Sequence, residues 1–383
     1  MKKIRARGLN ALSVLMVSAH YFPTMGGIET HVYEVARRLV QKGVDVTILT
    51  TMPQHSFAQM PRETESEGMR ILRVNAWTHT SDLCIAPQVY AVIKAGDWDL
   101  VHCQGIHTIV PPLAMLGARR ARIPFVVTFH TGGHSSLLRN KVRSTQWQIL
   151  RPLLVGAAHL IGVSRFEAEY FRDLLQLPAE RFSVIPNGAT LTIDARQARE
   201  TPGETLIVSP GRLERYKGHQ HMISALPKIR ERRPDARLLI LGAGPYESSL
   251  RKVAQDSGVA ESVEIRAIPA SDRQAMARTL SQASLVALMS EYEAHPVAVM
   301  EALSLSRPVL GIDTAGQREL AQQGLIRTVP LHSSAEVIAT AALEQIEKPF
   351  IPQRVTLPTW DECAEKLLGV YESVYSKRQR RAS

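Results

Sequence analysis

The chain has 383 residues, more than one hydrophobic core of ordinary size takes, so two domains of about 180 residues are expected. Apolar residues at 45% and charged residues at 21% lie in the range of ordinary globular proteins, and no run approaches the ~20 apolar residues of a membrane span. Aromatics at 5% argue against a stacking platform for single-stranded nucleic acid, and the net charge of +10 suits an anionic ligand, an anionic membrane surface or nucleic acid without choosing among them. The three cysteines, Cys84, Cys103 and Cys363, are too far apart for a disulfide framework or a CxxC metal pair, which points to a reducing, cytoplasmic compartment.

The N-terminus, MKKIRARGLNALSVLMVSAHYF, is basic and then apolar. Its apolar part is short and lacks a clear small-residue cleavage site, so it reads as a basic lead-in to a first buried strand over Leu12–Ser18. Gly26-Gly27 makes a turn, and Val32, Val35, Ala36, Leu39 and Val40 then recur at i, i+3, i+4, i+7, i+8, which predicts a helix ended by Gly43. Strands are expected at Val44–Thr50, Asp99–Cys103, Phe125–Phe129, His159–Val163 and Phe182–Ile185, and helices at Ile106–Arg119, Ser136–Val155 and Arg165–Leu175. This alternation predicts a parallel sheet with helices on both faces.

The rhythm breaks at Asn187-Gly188, and the polar stretch LTIDARQARETPGE reads as a linker. The pattern restarts with a strand at Thr205–Ser209, a helix from about His219 and a strand at Leu238–Leu241. Further strands are expected at Val263–Arg266, Ser284–Met289 and Pro308–Ile312. A last amphipathic helix, Trp360–Tyr375, precedes a frayed basic tail, SKRQRRAS. The chain thus divides into a unit over 1–190, a second over 191–358 and a terminal helix with its tail over 359–383.

Open α/β sheets bind ligands beyond the carboxyl ends of their strands, so the loops leading into helices are where chemistry is expected. Gly26-Gly27 would let backbone approach a phosphate at a helix N-terminus, though a plain tight turn explains the pair equally well. SPGRLERYKG places Arg212 and Lys217 in one strand-to-helix loop, a forked donor and a point charge suited to a diphosphate; two solvated surface cations are the plainer alternative. In EYEAHPVAVMEALSLSRPVL, Glu293 and Glu301 stand eight residues apart, with Pro296 suited to the first helical position. Across eight helical residues the rise is about 12 Å, too far for a glycosidase carboxylate pair but a match for two ends of an elongated ligand. In VVTFHTGGHSS, His130 ends an apolar strand, where it could bond a sugar hydroxyl or a phosphate, or serve structure alone. The histidines have no metal-ligand spacing.

Taken together, GGIETHV, TFH, VSR, VIPNGA, PGRLERYKG, LLILGAGP, the E-x7-E element and RPVLGIDTAGQREL, in that order over nearly the whole length, resemble the retaining glycosyltransferases of family 4. The resemblance implies an α/β fold of the GT-B type: two Rossmann-like doubly wound domains facing an interdomain cleft, with a final helix crossing back to the first. It implies a nucleotide-sugar donor, a UDP- or GDP-sugar, and transfer of a hexose-type sugar to a glycan or lipid-linked acceptor, with retention. No cofactor, no metal and no nucleic acid partner are implied. By position, Gly26 and Gly27 would meet the distal phosphate, Arg212 and Lys217 the diphosphate leaving group, Glu293 the donor-sugar hydroxyls and Glu301 the ribose. Ala294, His295 and Val297 would complete the donor loop, and His130 would place the sugar for reaction. The family usually has Phe-Gly where this chain has His295-Pro296, a glycine where it has Ser306, and another where it reads RAIPASD.

A GT-B-fold epimerase or phosphorylase, and a nonenzymatic nucleotide- or glycan-binding protein, are the competing readings; the GRLxxxKG and E-x7-E pair weighs against both. A nicotinamide oxidoreductase would need a GxGxxG after a strand, which is missing. Finally, Arg139, Lys141 and Arg143 flank Leu137, Leu138, Trp147, Ile149 and Leu150 in an expected helix. Basic residues beside exposed apolar ones suit an anionic membrane surface, whereas apolar residues packed on the sheet would leave the cations merely solvated.

Overall fold

The computed structural model describes residues 12–24, 26–53, 60–78, 84–131, 147–189, 191, 205–269, 272–352 and 356–382. The strands of the first half are β1 (Ser13–Ser18), β2 (Asp45–Thr51), β3 (Glu63–Ser66), β4 (Met69–Val74), β5 (Trp77–Thr78), β6 (Cys84–Ile85), β7 (Leu100–Gln104), β8 (Phe125–Thr128), β9 (His159–Gly162) and β10 (Phe182–Val184). Its helices are α1 (Gly27–Gln41), α2 (Gln88–Ala95), α3 (Val110–Ala121), α4 (residues 147–154) and α5 (Arg165–Leu175). The second half contributes β11 (Leu206–Pro210), β12 (Arg237–Leu241), β13 (Val263–Arg266), β14 (Leu285–Leu288), β15 (Val309–Ile312) and β16 (Arg327–Val329). Between and after them come α6 (His219–Arg232), α7 (Glu247–Asp256), α8 (Arg273–Ser281), α9 (Val297–Ser304), α10 (Ala315–Gln322), α11 (Ala335–Glu347) and α12 (Trp360–Ala382).

The first sheet runs β10-β9-β8-β7-β1-β2-β4-β3, parallel except for the β3–β4 hairpin. The second runs β13-β12-β11-β14-β15-β16, parallel throughout. Strands covered on both faces should be continuous apolar runs, and β1, β14 and β15 are buried along their whole length. In each sheet the winding reverses once, between β1 and β7 and between β11 and β14. The carboxyl ends at those two reversals form natural crevices.

Several expectations are adjusted. The helix expected from Ile106 starts at Val110, because Pro111 and Pro112 belong in a first turn, where their missing N–H groups cost nothing. The β3–β4 hairpin has no apolar alternation on β3 to betray it. Residues 132–146, most of the expected helix Ser136–Val155, lie outside the described residues, as do 192–204 of the expected linker and the first eleven residues. The basic tail is helical rather than frayed: α12 continues to Ala382, and Arg378 Nη1 donates to the Asp99 carbonyl at 3.1 Å.

The terminal helix joins the first domain's core. Trp360, Cys363, Leu367 and Tyr371 pack with Val14, Met16, Val32, Val35 and Leu39. Arg38 adds an ion pair to Asp361 at 3.1 Å, and Lys42 one to Glu365. No helix among the described residues is long and apolar enough to cross a membrane.

Candidate active site

The loop after β11 carries Arg212 and Lys217. Gly218 ends it with a positive φ of 74°, and a Cβ there would collide with the Met289 carbonyl oxygen. Only glycine lets this loop close onto the end of β14, which brings Lys217 to the loop after β14. There Lys217 Nζ donates to Glu293 Oε1 at 2.5 Å, both side chains being largely buried. Burial alone would lower the ammonium pKa, but the Glu293 carboxylate outweighs it and the pKa rises above its ordinary value. Arg212 is exposed, and its Nη2 donates to the Tyr216 hydroxyl at 3.1 Å. Its backbone is anchored by His219, whose Nε2–H donates to the Arg212 carbonyl at 3.3 Å while Nδ1 accepts from Ser209 at 2.8 Å.

Glu293 sits in a loop held by its own carbonyl, which accepts from Gly316 N at 2.8 Å. A Cβ at Gly316 would collide with the Ala294 carbonyl oxygen, so a glycine is required by close approach. Ala294 is buried. The His295 carbonyl accepts from Asn187 Nδ2 at 2.8 Å, a bond across the domain seam, and burial lowers the His295 imidazole pKa to about 4. Pro296 is the cap of α9 rather than its first residue: its φ and ψ of −70° and 117° are extended, and the helix begins at Val297. Val297 packs with the α1 cluster, and a side chain at Gly27 would lie 3.7 Å from it. The N-termini of α1 and α9 therefore meet at the seam, with Gly26 and Gly27 on one side and Val297 on the other. Two helix N-termini facing one space favour an anion there.

Glu301 lies on α9, buried, and its partner is Arg273 at the start of α8. Burial raises the Glu301 pKa above its ordinary value, and the Arg273 guanidinium opposes that rise. The two glutamates thus have separate cationic partners, Lys217 and Arg273.

The first domain faces this loop with His130, buried just past β8 in the left-handed region at φ 48°. Strain of this kind persists where neighbours hold it. The neighbour is Glu167, a fully buried carboxylate accepting from Thr131 N at 2.6 Å, Thr131 Oγ1 at 2.5 Å and Val163 N at 2.8 Å. Thr131 Oγ1 also lies 3.2 Å from the Tyr292 hydroxyl across the seam. Burial, and then the neighbouring His31, His102 and His107, push the His130 pKa well below its ordinary value. It is a neutral imidazole. His31 stacks edge-on against it, centroids 4.5 Å apart, and its Nδ1 is 2.8 Å from Asn187 Oδ1. Because Asn187 gives its N–H to His295, its Oδ1 accepts from His31.

The structure therefore gathers Lys217, Glu293, Ala294, His295 and Val297 with Gly26, Gly27 and His130 around one seam, and sets Glu301 apart on α9. Sequence reasoning missed His31, Gln104, Asn187, His219 and Arg273. His31 and Asn187 lie within motifs already singled out, GGIETHV and VIPNGA, but nothing in their spacing announces that they meet. Among the described residues no group of three or more His, Cys, Asp or Glu could hold a metal.

Two doubly wound domains meeting at their strand carboxyl ends, with paired cations and carboxylates in the crevice, define a GT-B-fold glycosyltransferase. Residues 25–192 match the family described as Glycosyltransferase Family 4, and residues 192–355 that described as Glycosyl transferases group 1. The chain belongs to glycosyltransferase family 4. It is 26% identical to a GDP-mannose:cellobiosyl-diphosphopolyprenol alpha-mannosyltransferase of Xanthomonas campestris, over 76% of each chain. It is also 26% identical to a phosphatidyl-myo-inositol mannosyltransferase of Mycolicibacterium smegmatis, over 94% of this chain and 93% of the other. In fold it is similar to sucrose-phosphate synthase from Thermosynechococcus elongatus, with TM-score 0.73 and 19% identity over 97% and 98% of the two chains. It is similar too to Anabaena HepE in complex with UDP-glucose, with TM-score 0.70 and 18% identity over 96% and 100%. The family match favours the transferase over the epimerase, phosphorylase and binding-protein readings.

Proposed function

We propose that this glycosyltransferase moves a hexose from a UDP- or GDP-sugar to a glycan or lipid-linked acceptor, with retention and without a metal. The observation that carries the reading is the Lys217–Glu293 pair in the crevice, beside two helix N-termini, in a loop that touches the His130–Thr131 turn across the seam through Tyr292. A cation that already touches a carboxylate puts a phosphate site and a hydroxyl-binding group next to each other, which is the order of groups along a nucleotide sugar. Arg212, Lys217 and the backbone at Gly26 and Gly27 meet the diphosphate. Glu293 and the loop Ala294–Val297 hold the sugar, Glu301 takes the ribose, and His130 bonds a sugar hydroxyl. When the bond from C1 to the diphosphate breaks, its electron pair stays on the phosphate oxygen. The acceptor oxygen bonds to C1 and its proton passes to the leaving phosphate. Charge growing on that phosphate is met by Lys217 and Arg212, which is electrostatic stabilisation.

The test is a panel of UDP-, GDP- and ADP-sugars scored by thermal stabilisation and slow hydrolysis. GDP-mannose heads the panel, since relatives carry that specificity in their names. One donor class should stabilise the protein, EDTA should leave turnover unchanged, and the product anomer should match the donor by NMR. Failure of every nucleotide sugar to stabilise the protein would overturn the reading.

Glu293→Ala and Glu301→Ala should separate. Glu301→Ala loses the ribose contacts and leaves Arg273 unpaired, so nucleoside diphosphate affinity should fall about tenfold or more. Glu293→Ala frees Lys217, so nucleotide affinity should hold or tighten slightly while transfer collapses. Equal losses of nucleotide affinity in calorimetry would contradict the division.

A lipid-linked acceptor calls for an anionic membrane surface as partner. Trp147 and Leu150 are buried, so they belong to the core rather than to a membrane-facing stripe, while Ile149 is 71% exposed. Arg139, Lys141, Arg143, Leu137 and Leu138 lie outside the described residues. Ile149 flanked by Arg151 is the apolar-beside-basic element that favours this part of the reading. Sedimentation with vesicles should require anionic lipid and weaken with salt. It should also fall when Ile149 becomes Ser. A protein that stays in the supernatant with acidic vesicles at low salt would make a soluble acceptor the better assignment.

A further inference from the structure

Gln104 ends β7, buried between two imidazoles. Its Oε1 is 2.8 Å from His130 Nε2, and its Nε2 is 3.2 and 3.3 Å from the two ring nitrogens of His102. His102 is held from two further sides: the Tyr371 hydroxyl lies 2.5 Å from Nδ1, and Thr128 Oγ1 lies 2.7 Å from Nε2. Burial keeps the Tyr371 phenol protonated, its pKa well above the ordinary value, so its hydroxyl serves Nδ1 as donor or as acceptor. Neutral His102 donates from one ring nitrogen and accepts at the other, and the Tyr371 and Thr128 hydroxyls satisfy both. Both His102 nitrogens are thus committed to hydroxyls, and the Gln104 amide nitrogen, almost equidistant from them, lies against the imidazole while its carbonyl oxygen is turned to His130. A carbonyl oxygen only accepts. His130 must therefore donate from Nε2, and, being neutral, it keeps a lone pair on Nδ1.

We propose that Gln104 is a positioning residue that holds His130 in its Nε2–H form, so that Nδ1 is the acceptor offered to a sugar hydroxyl. The inference rests on the reading that His130 borders the donor sugar. It gives a job to the terminal helix as well: Tyr371, from the far end of the chain, holds the imidazole against which the Gln104 amide packs. The division of labour is physical. Glu167 clamps the backbone turn and so aims the ring, while Gln104 chooses which nitrogen carries the hydrogen. Aim without the right tautomer would place a donor against a donor and lose the bond.

The groups facing His130 from the elements around it are His31 on α1, His102 on β7, His107 in the loop after β7, and Glu167 on α5, which accepts from backbone at His130 and Thr131. The histidines each oppose its protonation, after burial itself. A carboxylate at position 104 would reverse that balance, because an opposite charge at this distance favours the imidazolium.

Two measurements test the proposal in the full-length protein. In nitrogen-15 NMR of the imidazoles, wild type should show His130 with its proton on Nε2, and Gln104→Met should show the proton moved to Nδ1 or shared. In steady-state kinetics, Gln104→Met should lower kcat about 10- to 100-fold with the donor KM within about twofold, the size of a misplacement effect. Gln104→Glu retains an acceptor for Nε2–H, so it should keep more activity than Gln104→Met at neutral pH. Its acid limb should rise by about 1–2 pH units relative to wild type. A purely structural Gln104 would lower the Tm of both variants while leaving the His130 tautomer and the kcat of the folded protein in place, and that result would overturn the proposal. If Gln104→Met does not fold, the wild-type imidazole spectrum decides, since a His130 proton on Nδ1 would overturn the proposal. His130→Ala separates the two levels. If it leaves kcat unchanged, the placement of His130 beside the sugar fails. If it abolishes turnover while Gln104→Met changes neither tautomer nor kcat, the placement stands and the role of Gln104 falls.

Discussion

Lys217→Ala should cut nucleoside diphosphate affinity by about ten- to a hundredfold and transfer by a further ~10²–10³, while affinity for the free nucleoside stays near wild type. The first figure is the loss of a charge-assisted contact, roughly 1.5–3 kcal/mol. The second is the loss of a preorganised cation where charge grows in the transition state. The substitution also has a folding cost. Lys217 and Glu293 are both largely buried, and removing one partner leaves the other charge without compensation, which costs about 3–5 kcal/mol when burial is complete. A double variant separates these effects. Lys217→Ala with Glu293→Ala removes both charges, so Tm should recover relative to Lys217→Ala alone while diphosphate affinity stays low. Arg212→Ala, at an exposed residue, should weaken the diphosphate without the folding penalty. Calorimetric titration of nucleoside and nucleoside diphosphate beside thermal melts decides it. If Lys217→Ala binds the diphosphate like wild type, the phosphate assignment of this loop is wrong.

Acid should unfold this protein at an unusually mild pH. Burial lowers the pKa of His31 and His219 to about 4 and that of His102 to about 3. All three are almost fully buried. In the unfolded chain each titrates near 6.5. Between about pH 6.5 and 4 the unfolded state therefore binds more protons than the folded one, and stability falls as pH falls through that window. A depression of this size is worth roughly 3 kcal/mol per histidine at the acid end, so three together approach the ~5–15 kcal/mol that holds a typical domain together. The raised pKa values of Glu167 and Glu301, due first to burial, act with the opposite sign. Their protonation on acidification favours the folded state and offsets part of the loss. Melting curves from pH 7.5 to 4 should show Tm dropping steeply below about pH 6. His219→Gln keeps the bonds to Ser209 and the Arg212 carbonyl without a titrating proton, so it should flatten the slope by about 1.4 kcal/mol per pH unit. A Tm that holds level from pH 7 to 5 in the wild type would show that these imidazoles are not desolvated as described.

The tandem arrangement of two parallel-sheet domains was legible because it is written in local periodicity. β1, β2 and β7 through β15 fall within a residue or two of the apolar runs that predict them, and α5 matches its predicted span. An apolar run of four to six residues between helical repeats has few alternatives to a buried parallel strand. The hairpin strand Glu63–Ser66 was illegible for the same reason, since it owes its form to pairing with Met69–Val74 and not to a pattern of its own. The helical tail was missed because its basic residues look solvated in isolation. Arg378 is tied down by a carbonyl 279 residues earlier in the chain.

By itself the sequence determined the residue types of the crevice: two cations in one loop, two carboxylates eight residues apart, a histidine at a strand end and glycines at helix starts. It determined nothing about partners. Lys217 meets Glu293 across 76 residues, His31 meets Asn187 across 156 and His102 meets Tyr371 across 269. Such contacts have no periodicity to read, because they depend on where the sheets reverse and how the two domains and the terminal helix seat against one another. Only the tertiary structure could decide that Glu293 pairs with Lys217 while Glu301 pairs with Arg273, and that His130 is neutral, strained and bonded to Gln104. Protonation state and tautomer are set by burial and by the facing partner, and both exist only once the chain has closed on itself.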